Sequence, residues 1–78
     1  MKINENSIKS LLNNKKEEDI TTAYFNNKNI SKITLKAKIY QNIQFLSLQS
    51  NNISDIDFIS SFPNLWYLDI KKNPVTFP

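Results

Sequence analysis

The apolar positions of this chain recur at a fixed interval. Between Phe45 and Ile56 the sequence FLSLQSNNISDI alternates at Leu46 and Leu48, breaks at a polar Gln-Ser-Asn-Asn stretch, and resumes at Ile53 and Ile56. The spacing is 22 residues from Leu46, Leu48, Asn51 and Ile53 to Leu68, Ile70, Asn73 and Val75, and equally from Asn42 and Ile43 to Asn64 and Leu65. Stepping back 23 residues, Ala23, Phe25, Ile30 and Ile33 stand in the places of Leu46, Leu48, Ile53 and Ile56. Residues two apart on an extended strand share a face, so each apolar-x-apolar triplet predicts a short strand with one buried side. Asn51 and Asn73 then predict a turn whose backbone groups are met by an amide that both donates and accepts. Ile53, Ile56, Ile59, Phe62 and Leu65 are expected on the inner side of the return segment. One such coil cannot bury its own apolar side, so the pattern predicts coils stacked on one another. A β-hairpin turning at Ser50-Asn51-Asn52 is the competing arrangement, and it leaves the echo unexplained.

Leu65-x-x-Leu68-x-Ile70-x-x-Asn73-x-Val75 resembles the core of a leucine-rich repeat, and Ile43, Leu46, Leu48, Asn51, Ile53 and Ile56 fit the same core. The interval is similar to that of the short intracellular class, which includes a nuclear phosphatase regulator, an axonemal dynein light chain and a spliceosomal ribonucleoprotein subunit. The resemblance spans roughly residues 20–78. It implies an α/β fold: a right-handed solenoid with short parallel strands on a concave face and an N-terminal capping helix. Two positions depart from it. Lys28 replaces the asparagine in the first coil, and Ala23 stands where a larger apolar residue is usual; both suit an atypical terminal coil.

Residues 1–19 are expected to form the cap and 20–78 the repeats, about two coils and the start of a third. NENSIKSLLNNKKEED reads as a helix with Asn6 or Ser7 as its N-cap. Ile8, Leu11 and Leu12 lie on one face of it, placed to cover the first apolar layer. At the other end Leu68, Ile70, Val75 and Phe77 open a third coil. Its uncovered strand edge beside an apolar layer is an association site, expected to be covered by more chain or by another subunit.

Composition narrows the chemistry. With 78 residues the chain holds one domain of marginal size. It contains no cysteine, histidine or glycine. That removes disulfide supports, Ser-His-Asp and Cys-His nucleophile systems, the usual zinc sites, the P-loop and the dinucleotide fingerprint. Asp55 and Asp57, and the run Glu17-Glu18-Asp19, read as solvated carboxylates, and no cofactor or metal is expected. A net charge of +3 from ten lysines without arginine is mild and scattered, which disfavours nucleic acid. No apolar run approaches the length of a membrane span. Absent cysteines and the lack of a signal-like N-terminus favour an intracellular place, cytoplasmic first and nuclear second.

On a sheet of stacked strands the solvent-facing positions form columns: Thr22, Phe45 and Tyr67; Tyr24, Ser47 and Asp69; Asn26, Gln49 and Lys71. Tyr24, Phe45, Ser47, Gln49, Tyr67, Asp69 and Lys71 are therefore the expected partner-binding residues, with the aromatics as anchors. Phe45 and Tyr67 packing on each other is the alternative use of those rings. Trp66, at the corner entering the third strand, is expected to be partly buried. The resulting expectation is a non-catalytic protein-interaction module, by resemblance in a cytoskeletal or axonemal assembly. A ribonucleoprotein subunit and a phosphatase regulatory subunit are the alternatives, the former separable by salt dependence.

Overall fold

A computed structural model describes residues 1–35 and 40–75 of the chain; Phe77, expected in the third coil, lies outside them. The elements in order are β1 (Lys2–Ile3), α1 (Glu5–Leu11), a 3₁₀ turn at Glu17–Asp19, β2 (Thr22–Tyr24), β3 (Lys32–Ile33), β4 (Phe45–Ser47), a 3₁₀ helix at Asp57–Ser61, and β5 (Tyr67–Asp69). β2, β4 and β5 form a three-stranded parallel sheet in that order, and β1 pairs in parallel with β3 in a second, two-stranded sheet. Ala23, Leu46 and Leu68 are register partners, as are Thr22, Phe45 and Tyr67. The recurrence in the sequence is thus a recurrence in space. Parallel pairing rules out the hairpin, because a tight turn joins only antiparallel strands.

The core is made by the periodic residues. Ala23, Phe25, Ile30, Ile33, Ile43, Leu46, Leu48 and Ile53 are buried, while Leu68, Ile70 and Val75 of the third coil are only partly covered. Of the return segment, Ile53 and Phe62 are buried, and Ile56, Ile59 and Leu65 are packed against the core but partly exposed. Phe58 takes the inner place instead. The 3₁₀ helix turns it inward, and its ring meets Phe62 edge-on at 6.5 Å.

The N-terminal helix differs from expectation in two respects. The helix begins after Asn4, not at Asn6 or Ser7. Ser7 N–H donates to Asn4 Oδ1 at 3.0 Å, and Asn4 N–H donates to Ser7 Oγ at 2.8 Å, a reciprocal capping box. The helix also stops at Leu11, because Asn13 and Asn14 both adopt φ of 57°, the left-handed region that asparagine tolerates and that ends helices. Ile8 is fully buried, and Leu11 and Leu12 pack on the core as partly exposed residues. Ahead of the helix, β1 buries Ile3 beside Ile33.

Without glycine, the turns after the strands place other residues in the left-handed region. Asn27, Ser50 and Lys72 have φ of 56°, 58° and 60° and occupy the same position in three coils. Asn51 ties two of those turns together. Its Oδ1 accepts from Lys28 N–H at 2.9 Å and Ile30 N–H at 3.0 Å, and its Nδ2 donates to Phe25 O and Leu48 O. Asn73 repeats this one coil on, accepting from Ile53 N–H at 3.0 Å and donating to Leu48 O and Ile70 O.

Candidate functional site

The solvent side of β2, β4 and β5 carries the expected columns. Thr22, Phe45 and Tyr67 lie side by side, as do Tyr24, Ser47 and Asp69. The short strands hold alternate side chains outward, so the aromatics are displayed because Ala23, Leu46 and Leu68 occupy the inner face. Phe45 stacks on Tyr67 with centroids 4.6 Å apart and planes 3° from parallel, and Tyr24 leans on Phe45 at 5.4 Å and 48°. Tyr24 is 64% exposed and Tyr67 43%; Phe45, between them, is half-buried. The three rings make one continuous row crossing all three strands. Packing of Phe45 on Tyr67 and display to solvent therefore coexist, since Tyr67 stacks on Phe45 and is still well exposed.

The polar residues expected beside the rings divide into two groups. Lys71 is exposed and Gln49 is half-buried, both within reach of a bound molecule. Ser47 and Asp69, also expected as contact residues, face the same side but are covered, at 2% and 8% exposure. Their polar atoms are spent inside the face. Ser47 Oγ donates to Asn26 Oδ1 at 2.8 Å; Gln49 Nε2 donates to Asp69 Oδ2, and Lys71 N–H donates to Asp69 Oδ1 at 3.1 Å. The hydrogen bond from Gln49, then that from the Lys71 amide, hold the Asp69 carboxyl below its ordinary value, against a smaller opposing effect of burial. These two residues brace the long side chains around the rings.

Trp66 is not partly buried as expected: it is 76% exposed. It starts the third coil at the place of Thr21 and Gln44, both exposed polar residues, and no further coil among the described residues covers it. Sequence reasoning also left Asn42 and Asn64 without a role, although their 22-residue echo was visible. Asn42 Nδ2 donates to Glu18 O at 2.7 Å and Asn64 Nδ2 to Gln41 O at 2.6 Å, a second set of coil-to-coil ties where the strands begin. Asp55 and Asp57 are exposed, and Asp57 N–H donates to Asp55 Oδ1 at 3.3 Å, a local turn contact. Among the described residues no group of three or more carboxylates is arranged to hold a metal, and no helix is long and apolar enough to cross a membrane.

Residues 41–77 match a family model described as leucine rich repeats in two copies. Searches of curated proteins and of solved structures find no match.

Proposed function

We propose that this chain, a leucine-rich repeat protein, binds another protein along the solvent face of β2, β4 and β5, with Tyr24, Phe45 and Tyr67 as anchors and Gln49 and Lys71 at their side. Such repeats generally serve protein–protein interaction and are typically non-catalytic. The observation that carries the reading is the continuous row of rings. Aromatic residues bury large area at small entropic cost, and mutual stacking has already restricted these rotamers before any partner arrives. Ser47 and Asp69 support the face from beneath.

In this reading the stacked coils are a right-handed solenoid with the rings on its concave side and residues 1–19 as its N-terminal cap. Parallel crossovers are right-handed in nearly all sheets, which supports the handedness. The outer edge of β5 is a second association site, completed by a further coil of the same kind or by another subunit. The absence of cysteine supports an intracellular setting, cytoplasmic first and nuclear second. A cytoskeletal or axonemal assembly, a ribonucleoprotein and a phosphatase complex rest on resemblance alone, in that order.

The test is affinity capture with the intact chain and with Phe45→Ser/Tyr67→Ser, followed by mass spectrometry. A partner held by the first and lost by the second, with circular dichroism unchanged, is the expected result. Capture indifferent to the two rings would remove the face from the function.

A further inference from the structure

The rim where the three strands end is basic. β2, β4 and β5 run into turns at residues 26–29, 49–52 and 71–74, which carry Lys28, Lys71 and Lys72 and no carboxylate. All three lysines are exposed. The outer two strands are two strand spacings apart, roughly 10 Å, so these charges border one side of one face. Asp69, the single carboxylate within the strands, is covered and has both oxygens engaged by Gln49 Nε2 and Lys71 N–H. At the opposite end, Glu17-Glu18-Asp19 follows directly on the exposed Lys15-Lys16, so no comparable charge of one sign stands there. The basic residues of the face therefore lie at one end of the strands, beside the aromatic rings.

The rings decide which kind of anion suits it. Single-stranded nucleic acid binds by laying bases on free ring faces. Here the central ring, Phe45, has Tyr67 stacked on it in near-parallel contact and Tyr24 leaning on it, so no gap is left between neighbouring rings for a base to enter. A row already closed ring to ring suits the aliphatic and aromatic side chains of a polypeptide.

We propose that the segment recognised on this face is an acidic peptide of another protein, its apolar side chains against the rings and its carboxylates on Lys28, Lys71 and Lys72. The inference rests on the face being a protein-binding site. Exposed lysines of this kind set association rate and salt dependence more than they set the final affinity, and the rings supply the anchor.

The intact chain is immobilised and offered a phage-displayed library of random 16-residue peptides, with Phe45→Ser/Tyr67→Ser and Lys71→Glu/Lys72→Glu as parallel baits. Expected is a selected pool that depends on the two rings, is enriched in Asp and Glu over the starting library, and whose best peptide associates at least tenfold more slowly with Lys71→Glu/Lys72→Glu at low salt, the difference shrinking as salt is raised. That variant changes only exposed side chains, so it also serves where loss of the rings unfolds the domain. A ring-dependent pool with the library's own charge, or a basic one, overturns the acidic assignment and leaves protein binding standing. No ring-dependent selection from a folded bait overturns both. A 15-residue oligouridine bound through the same lysines, with no acidic peptide selected, transfers the rim to nucleic acid and overturns the proposal.

Discussion

Asn51 joins two coils through one side chain, accepting from the Lys28 and Ile30 amides and donating to Phe25 O and Leu48 O. Asn51→Ala strands those groups in a partly buried turn, so unfolding in urea should show a loss of about 1–3 kcal/mol. A neutral result would mean the turns hold without the ladder. Ser50, one residue earlier, sits at φ of 58°, where an L-residue pays about 1–2 kcal/mol and glycine's extra unfolded freedom costs about 0.5–1. Ser50→Gly should therefore gain about 0.5–1 kcal/mol by these magnitudes in the same assay, and Ser50→Val should lose. Two titrating groups bound the pH range. Asp69 is held low, chiefly by Gln49, so its contribution is complete above the ordinary aspartate value and disappears as acid protonates the folded carboxyl. Tyr40, a buried member of the core, is held high, by burial first and Glu17 second. Its contribution is complete below about pH 10 and disappears as base ionises the folded phenol. Thermal melts across pH should show the acid loss reduced in Asp69→Asn and the alkaline loss reduced in Tyr40→Phe.

At the scale of elements, no strand among the described residues exceeds three residues, and none would persist alone. The three strands of the larger sheet are tied to one another beyond their ends: Asn42 and Asn64 tie the entry, and Asn51 and Asn73 tie the exit. The helix shows the same dependence, since seven residues are too few to be helical in isolation. Its capping box and the burial of Ile8 hold it in place. Asn4→Ala should cost about 0.5–2 kcal/mol and, with α1 packed against β1, should also weaken protection of the Thr34 amide, which donates to Ile3 O at 2.8 Å. Loss of stability without that effect at Thr34 would separate the cap from the β1–β3 sheet. The helix face at Ile8, Leu11 and Leu12 was legible from spacing. Its start was not, because Asn4, Asn6 and Ser7 are all good caps by type and only the reciprocal bond to Ser7 selects Asn4.

For the whole molecule, order is expected to fall from the second coil to the third. Leu48 N–H donates to Asp69 O at 2.7 Å and Ser50 N–H to Lys71 O at 3.0 Å, one coil on. The matching groups of the third coil, Ile70 N–H and Lys72 N–H, have no described strand beside them. Hydrogen exchange of the isolated chain should find Leu48 and Ser50 slow and Ile70 and Lys72 close to unprotected. Equal protection would show that something covers the edge of β5. The same edge leaves Leu68, Ile70 and Val75 partly exposed where Leu46, Leu48 and Ile53 are buried, so sedimentation at rising concentration should reveal association through it.

The sequence by itself determined the coil interval, the parallel register of Leu46 with Leu68, the asparagines that close the turns and the columns that hold Tyr24, Phe45 and Tyr67. Periodicity carries these, because equivalent residues of stacked coils must meet. Only the tertiary structure decided that Ser47 and Asp69 lie beneath the rings' neighbours, that Trp66 stands in solvent, that Phe58 turns inward in place of Ile59, and that Lys2–Ile3 pairs with Lys32–Ile33. Those outcomes depend on which side chains or strands arrive from elsewhere in the chain to cover a position, and no local pattern records such an arrival.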